Sequence, residues 1–309
     1  MCALRALIAD PSAPEALRLA EVPEPALGPG QVLLGVRHVS LNRGDLNDAR
    51  TGRVPSGGVL GSDAAGVVVQ ATADGSGPAA GSRVTALTAG AWAERVAVDV
   101  GALAEVPSLV DLAEAAALPV AGVAALRALR RAGPLLGSRV LVTGASGGVG
   151  RFAVQLASLA GAHVIASVGS AARGESLAAA GADQVVVGLE GVDQPVDLVL
   201  DNVGGPQLVA AWNLLAPGGS VQSIGWTSGE PAVFPPYSTV GPPRSLTSFL
   251  NEGPAGADLA TLLRLLAEGR MRVGVGWRGS WEQAGEAATA MRTRSLTGKA
   301  ILDVTTPAG

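Results

Sequence analysis

A glycine-rich turn in the middle of the chain constrains its fold more than any other feature. Residues 143–150 read Thr-Gly-Ala-Ser-Gly-Gly-Val-Gly and follow a short apolar run, Val140-Leu141-Val142. After the turn, apolar residues recur at spacings of three and one, as on one face of a helix; they are Val149, Phe152, Ala153, Leu156, Ala157 and Ala160. Glycines let a backbone turn tightly beside a pyrophosphate, whose charge the start of the next helix binds. The arrangement predicts a dinucleotide-binding strand–turn–helix unit.

The chain divides into three parts, the last of which follows a Pro-rich stretch at residues 231–243. Residues 1 to about 117 predict short strands between Gly, Pro and Ser clusters, which is typical of a partly open β-barrel. From residue 118, strands and helices alternate, which predicts an α/β, doubly wound parallel sheet. The predicted strands are Gln31–Leu41, Val67–Gln70, Trp92–Val98, His163–Val168, Val185–Val187, Leu198–Leu200, Ser220–Ile224 and Ala300–Val304. Helices are expected through Leu177–Ala180, Gln207–Leu215, Leu259–Glu268 and Trp281–Met291.

Composition and charge restrict the classes of molecule that the chain is expected to bind. The net charge is −4 and aromatic residues make up 3%, whereas a nucleic-acid-binding chain needs basic patches and aromatic platforms. The start lacks a basic region followed by an apolar one, and the longest apolar run, Ala115–Leu126, is interrupted by Pro119. That run is shorter than the roughly 20 residues of a membrane helix. We therefore expect a cytoplasmic protein without nucleic-acid or membrane partners.

Few residues are suited to bind a metal through nitrogen or sulfur. The chain has one cysteine, Cys2, and two histidines, His38 and His163. A single cysteine excludes an intramolecular disulfide and fits a reducing compartment. A Cys₄ zinc site is impossible, and a mixed site would need three scattered residues to converge. We expect no metal.

The strand after the glycine turn indicates which dinucleotide is bound. An acidic residue at its end would bind the ribose 2′-hydroxyl of NAD. Here the segment reads Ala166-Ser167-Val168-Gly169-Ser170, and the next charged residue is Arg173. A guanidinium suits a 2′-phosphate, so NADPH is the predicted cofactor. The alternative is that Arg173 is only a solvated residue at a helix start.

Several short motifs, in one order, extend over the chain. They are Leu41-Asn42-Arg43-Gly44-Asp45, Gly61-Ser62-Asp63-Ala64-Ala65-Gly66, Ala115-Ala116-Ala117-Leu118-Pro119, the glycine turn, Asp201-Asn202-Val203-Gly204-Gly205, Leu215-Ala216-Pro217-Gly218-Gly219, and Arg294 with Gly298-Lys299. With them the chain resembles the zinc-free quinone oxidoreductase branch of the medium-chain dehydrogenase/reductase superfamily, whose members are zinc-type alcohol dehydrogenase-like. The resemblance implies a GroES-like, partly open β-barrel catalytic domain from residues 1–117 and 253–309. It also implies a Rossmann domain from residues 118–252, with a cofactor in the cleft.

The resemblance also assigns roles to single residues. Asn42 matches an asparagine near the nicotinamide, Arg173 a basic residue at the 2′-phosphate, and Arg294 an arginine facing the cofactor. Zinc-dependent relatives carry a ligand histidine and a glutamate where Ser62 and Asp63 stand. The expected cofactor contacts are Asn42, Gly144, Ala145, Gly147, Gly148, Val149, Ser167, Arg173, Asn202, Gly225 and Arg294.

The reaction expected of such a site is hydride transfer to an electrophilic substrate, a quinone or an α,β-unsaturated carbonyl. The resulting oxyanion needs hydrogen-bond donors and then a proton. Asn42 is a candidate donor, with a buried amide bracing the loop to Asp45 as the alternative. Tyr237 is the only tyrosine and so the only candidate phenolic acid, with water as the other proton source. Asp45 is expected to hold the conformation of its loop by hydrogen bonding rather than to act as an acid.

Other functions remain open on the same scaffold. An enoyl reductase or a natural-product tailoring reductase would use the same metal-free hydride site. Many relatives carry a tyrosine and a threonine where this chain has Leu46-Asn47-Asp48 and Ala124, which leaves a non-catalytic NADPH-binding sensor as a third possibility. Side chains of residues 244–250 are expected to alternate between the two sides of a strand, with Leu246 and Leu250 on the same side. In the family a strand here pairs with its symmetry mate, so a homodimer is expected.

Overall fold

The computed structural model describes residues 3–304, so Cys2 lies outside the described residues. The strands are β1 (Ala3–Ala9), β2 (Leu17–Pro23), β3 (Gln31–Ser40), β4 (Asp63–Gln70), β5 (Arg83–Leu87), β6 (Arg95–Asp99), β7 (Leu103–Glu105), β8 (Arg139–Val142), β9 (His163–Val168), β10 (Gln184–Val187), β11 (Val196–Asp201), β12 (Leu215–Ser223), β13 (Ser245–Ser248), β14 (Val275–Ser280) and β15 (Lys299–Asp303). The α-helices are α1 (Arg43–Thr51), α2 (Leu112–Ala115), α3 (Pro119–Ala132), α4 (Gly148–Leu159), α5 (Gly205–Asn213), α6 (Gly256–Ala267) and α7 (Ala284–Arg292). Short 3₁₀ helices cover Pro14–Ala16, Val100–Ala102, Ala171–Gly174 and Trp281–Gln283. No helix within residues 3–304 is long and apolar enough to cross a membrane.

The chain forms two compact units. Unit 1 combines Met1–Val123 with Gly253–Gly309, and unit 2 is Ala124–Glu252. Residues 118–123, which we had expected in the dinucleotide-binding domain, belong to unit 1. The reason is local contact: the Val120 N–H donates to Asp63 Oδ1 at 2.8 Å, and a Cβ on Gly122 would lie 3.0 Å from Leu262 Cδ1.

Unit 1 is built on a seven-stranded sheet. Its order is β14-β15-β3-β4-β5-β7, with β6 also pairing with β3, and only β14 and β15 run parallel. β1 and β2 form a separate antiparallel pair. The side chains of Leu34, Leu41, Trp92 and Trp281 are completely buried in its core. Because β15 pairs with β3, the start of β15 lies next to Ser40 and to the loop that follows β3.

Unit 2 holds a six-stranded, fully parallel sheet in the order β10-β9-β8-β11-β12-β13. Its central strands are apolar on both faces, as in β8, where Val140, Leu141 and Val142 are all fully buried. The chain order reverses between β8 and β11, and ligands of open α/β sheets bind beyond the carboxyl ends of the strands at such a point. The predicted α/β architecture is therefore confirmed.

Two local predictions are wrong. Leu177–Ala180 is not helical but a series of turns, in which the Leu177 N–H donates to the Gly174 carbonyl and the Ala180 N–H to the Leu177 carbonyl. Glycines at 174 and 181 bound this short stretch, and glycine disfavours helix. The strand expected at Trp92–Val98 begins only at Arg95, because Trp92 turns into the core and donates from Nε1 to the Ser40 carbonyl.

Candidate functional site

The glycine turn joins β8 to α4 at the reversal point of the unit 2 sheet. Gly144 has a left-handed φ of 59°, and its carbonyl accepts from the Gly147 N–H at 3.0 Å. A Cβ on Gly150 would lie 2.4 Å from the Gly144 oxygen, so the turn and the helix start are in direct backbone contact. α4 begins at Gly148, with Gly147 as its N-cap. A 12-residue helix therefore begins directly after a glycine-rich turn, which is the arrangement whose first N–H groups bind a pyrophosphate.

A buried network holds the carboxyl ends of β8 and β11 together. The Thr143 hydroxyl donates to Asp201 Oδ1 at 2.6 Å, and the Gly204 N–H donates to Asp201 Oδ2 at 2.8 Å. Asn202 donates from Nδ2 to the Thr143 carbonyl at 2.9 Å and from its backbone N–H to the Thr143 hydroxyl. Burial raises the pKa of the Asp201 carboxyl, and the Thr143 hydrogen bond opposes that rise. Asp201 was not among the predicted site residues. Its position at the carboxyl end of a central strand could have identified it as one.

Ser167 braces the end of β9 with its side chain. Its hydroxyl donates to the Gly188 carbonyl at 2.5 Å and accepts from Gln207 Nε2 at 2.9 Å. Its carbonyl accepts from the Ala145 N–H, which ties β9 to the glycine turn. Ser167 is therefore near the predicted cofactor position, but its hydroxyl is occupied by protein groups.

Arg173 reaches the glycine turn, as the NADPH prediction requires. Its Nε donates to the Ser146 hydroxyl at 3.0 Å, and Ser146 is buried within the turn. This contact places a guanidinium beside the end of β9, where a carboxylate would select NAD. Sequence reasoning had not picked out Ser146 as a site residue, although it is part of the motif.

Glycines also shape the edge formed by β11 and β12. A Cβ on Gly225 would lie 3.1 Å from the Asn202 oxygen, and one on Gly204 would lie 2.5 Å from the Trp226 ring. The Trp226 indole is held in place by a bond from Nε1 to the Glu230 carbonyl. The predicted residues Asn202 and Gly225 are thus in contact with each other at this edge.

Unit 1 contains a second polar cluster, centred on Asn42. Lys299, only 3% exposed, donates from Nζ to the Leu41 carbonyl at 3.0 Å, to Asn42 Oδ1 at 2.6 Å and to Asp63 Oδ2 at 3.2 Å. Asn42 Nδ2 in turn donates to Asp45 Oδ2 at 3.1 Å and to Asp63 Oδ2 at 2.9 Å. Both amide hydrogens are used in this way. The structure therefore favours bracing, rather than donation to substrate, as the role of Asn42.

The two carboxyl groups of this cluster differ in their partners. Asp63, with no exposed surface, also accepts from the Ser40 hydroxyl at 2.5 Å and from the Val120 N–H. Asp45 accepts from the Ser62 hydroxyl at 2.6 Å. Burial, together with the charge of Asp63, raises the pKa of Asp45 to about 6; the bonds from Ser62 and Asn42 and the charge of Lys299 act against the rise. In the sequence analysis Ser62, Asp63 and Lys299 served only as residues of the family motifs. Their membership of one hydrogen-bonded cluster was not predicted.

Two predicted residues lie on exposed segments. Tyr237, in unit 2, is 83% exposed and sits in a turn at a φ of 65°. Arg294, in unit 1, is an exposed residue just after α7, at a φ of 59°. Their roles toward substrate and cofactor stay predictions.

The histidines are paired with carboxylates. His38 Nδ1 lies 2.8 Å from Asp303 Oδ1, and His163 Nδ1 lies 3.7 Å from Asp183 Oδ2. Within residues 3–304, no three or more His, Cys, Asp or Glu side chains are grouped so that they would hold a metal ion.

Two known protein families match successive segments of the chain. Residues 28–108 match the alcohol dehydrogenase GroES-like domain, and residues 148–268 match the zinc-binding dehydrogenase family. The chain belongs to the medium-chain dehydrogenase/reductase superfamily. Within it, similarity to solved quinone oxidoreductases places the chain in the quinone oxidoreductase-like branch, which confirms the resemblance read from the motifs.

Relatives in this superfamily include large synthases and a reductase. The chain is 34% identical over 270 residues to the spectinabilin polyketide synthase system protein NorB of Streptomyces orinoci, covering 83% of this chain and 12% of that protein. It is 34% identical over 223 residues to prostaglandin reductase-3 of Bos taurus, covering 68% of this chain and 59% of that protein. The chain thus spans less than two thirds of the length of either relative.

Solved superfamily structures match over almost the whole chain. The quinone oxidoreductase from Coxiella burnetii has a TM-score of 0.86 at 25% identity, covering 98% of this chain and 100% of that one. A probable oxidoreductase from Mycobacterium abscessus has a TM-score of 0.82 at 30% identity, covering 98% and 99%. A mycobacterial protein complexed with NADPH has a TM-score of 0.87 at 26% identity, covering 97% and 99%.

Proposed function

We propose that this oxidoreductase is a metal-independent, NADPH-dependent enzyme that transfers a hydride to a quinone or to an α,β-unsaturated carbonyl. The observation that carries the cofactor choice is the bond from Arg173 Nε to Ser146, which presents a guanidinium at the glycine turn. The second strand of the sheet ends without a carboxylate that would repel a 2′-phosphate.

The residues present fit a nicotinamide dinucleotide. The pyrophosphate would lie over residues 144–148 at the start of α4, where three of the five residues are glycines and the N–H groups of the first helical turn can bind an anion. The 2′-phosphate would be bound by Arg173, and the Asn202–Gly225 edge would border the nicotinamide half. NADPH, when bound, supplies the hydride and its two electrons.

The names of similar proteins support an electrophilic carbonyl as substrate. They include a quinone oxidoreductase, a prostaglandin reductase and polyketide synthases. Polyketide synthases among the relatives favour, as a second candidate, reduction of an enoyl thioester or a related natural-product intermediate on the same site.

The proposal is tested by oxidation of NADPH and NADH at 340 nm with 9,10-phenanthrenequinone, a simple enone and an enoyl thioester as acceptors, with and without chelator. We expect chelator-resistant turnover that prefers NADPH, and loss of that preference in Arg173→Gln. Preferred turnover of the thioester would select the second candidate. Tight NADPH binding without oxidation by any acceptor would instead support a non-catalytic sensor.

We also propose a cytoplasmic homodimer. β13 pairs only with β12 among the described strands, and all four of its residues are exposed. An exposed edge strand offers free N–H and C=O groups to a second copy, and Leu246 and Leu250 add exposed apolar surface beside it.

A further inference from the structure

We propose that Ser62 donates the proton that completes reduction and that Asp45 replaces the proton Ser62 gives up. The inference rests on the proposed reductase function and names the acid of that reaction. All the contacts that carry it lie within unit 1.

Lys299 determines which way the Asn42 amide points. A lysine ammonium can only donate hydrogen bonds, so the atom 2.6 Å from Lys299 Nζ must be the Asn42 oxygen. The Asn42 nitrogen therefore faces the carboxylates and donates to Asp45 Oδ2. Because Oδ2 is held as an acceptor, the proton of a neutral Asp45 belongs on Oδ1. That oxygen is the one 2.6 Å from Ser62 Oγ.

Ser62 and Asp45 differ in how far they are exposed to solvent. Ser62 is half-buried, whereas Asp45 is 9% exposed and lies behind it. A substrate would therefore reach the Ser62 hydroxyl before the Asp45 carboxyl. Ser62 touches the substrate in this arrangement, and Asp45 acts through Ser62.

The proton transfer balances with water as the only further reactant. After the hydride has added, the substrate's carbonyl electron pair resides on oxygen as an enolate or quinol anion. That anion takes the hydroxyl hydrogen of Ser62, and the electrons of the broken O–H bond stay on Oγ. Oγ forms a new O–H bond with the proton of Asp45, which becomes a carboxylate. Water then returns a proton to Asp45.

Asp45 is suited to hold that proton, and Asp63 is not. Asp63 accepts four hydrogen bonds, one of them from the Lys299 ammonium, so its oxygens are occupied as acceptors. Asp45 has no cation within hydrogen-bonding distance among the described residues, and it is buried beside the Asp63 charge. Its raised pKa, about 6, allows a neutral form near physiological pH.

Other charged groups around α1 are engaged elsewhere. On the helix itself, Arg43 donates to the Met291 carbonyl and Asp48 pairs with Arg53. Arg50, also on α1, acts on Glu15 of the 3₁₀ helix Pro14–Ala16, and Glu15 pairs with Arg292 of α7. Asp63 from β4 and Lys299 from β15 are the charges that act on Asp45.

The test compares wild type with Ser62→Ala, Ser62→Thr and Asp45→Asn, using an enone and NADPH between pH 5 and 9. For wild type we expect kcat to fall as pH rises through about 6, because Asp45 loses its proton. Ser62→Ala should lower kcat at pH 6 by about tenfold or more, and Ser62→Thr, which keeps the hydroxyl, should retain most of it. Asp45→Asn should lower kcat and abolish the titration near pH 6. NADPH affinity, measured by its fluorescence, should be unchanged in all three.

Two results would overturn the relay for different reasons. Ser62→Ala with the kcat and pH profile of wild type would exclude Ser62 as the acid while leaving the reductase function intact. Wild type that oxidises no NADPH with any acceptor would remove the reductase function and the relay with it. A solvent isotope effect present in wild type and lost in Asp45→Asn would support transfer through Asp45, since a purely structural role would not alter it.

Discussion

Replacing Lys299 by methionine should strongly destabilise unit 1. Lys299 is 3% exposed and Asp63 has no exposed surface, so the substitution leaves a carboxylate in the core without its 3.2 Å cationic partner. Removing one member of a buried ion pair costs about 3–5 kcal/mol. The bonds from Ser40, Asn42 and Val120 to Asp63 remain, so we expect a value near the lower end. The same change removes the donor that orients Asn42.

The double variant Lys299→Met/Asp63→Asn separates charge from packing. Without Lys299 the Asn42 amide is free to turn and accept from an asparagine at 63, so the double variant should recover about 2 kcal/mol or more of the loss. The measurement is urea unfolding of each variant, followed by far-UV circular dichroism and tryptophan fluorescence. Arg270→Met, at a half-exposed residue 3.5 Å from Glu268, is the matched control and should change stability by less than about 1 kcal/mol. If Lys299→Met costs no more than that control, or if the double variant is as unstable as the sum of the single ones, the buried-pair reasoning is refuted.

Further predictions concern the cofactor site, the dimer and pH. Gly150→Ala should abolish NADPH binding and destabilise unit 2 by about 1–3 kcal/mol, because its Cβ meets a backbone oxygen of the turn at 2.4 Å. The control is Gly285→Ala in α7 of unit 1, where a Cβ meets nothing within 4 Å, and this variant should bind NADPH normally in the same titration. Arg173→Gln should raise the Kd for NADPH about tenfold and leave that for NADH unchanged, as measured by fluorescence titration; equal losses for both would contradict a 2′-phosphate contact. Leu246→Arg should convert a dimer to a monomer in light scattering after gel filtration, whereas an unchanged mass would place the contact elsewhere. Since the folded-state pKa of Asp45, about 6, exceeds its ordinary value of 3.8, stability should fall as pH rises from 4 to 6, by at most about 3 kcal/mol, and Asp45→Asn should remove that fall in urea unfolding.

The dinucleotide unit was predictable from the sequence because its determinants are local. A buried strand, a glycine turn and a helix with a 3.6-residue apolar period follow one another within 21 residues, 139–159, and each is recognisable alone. The parallel sheet followed from the alternation of strands and helices, since parallel neighbours need a crossover. Local signals failed at Leu177–Ala180, where an apolar spacing in a glycine-bounded segment produces turns instead of a helix.

The unit 1 cluster was not predictable in the same way. Lys299 and Asp63 are 236 residues apart, and the pairing of β15 with β3 and of β3 with β4 brings them together. The sequence places an asparagine at 42 but does not say that Lys299 orients its amide or that two carboxylates use both of its hydrogens.

The sequence by itself therefore determined the fold class, the position of the glycine turn and the residue types available for chemistry, because these depend on neighbours along the chain. Tertiary structure decided which of those residues meet, which oxygen of Asp45 faces Ser62, and how far burial and the Asp63 charge raise the Asp45 pKa. The physical reason is that desolvation and Coulomb interactions depend on distances in space, and those distances are set by strand pairing between remote segments.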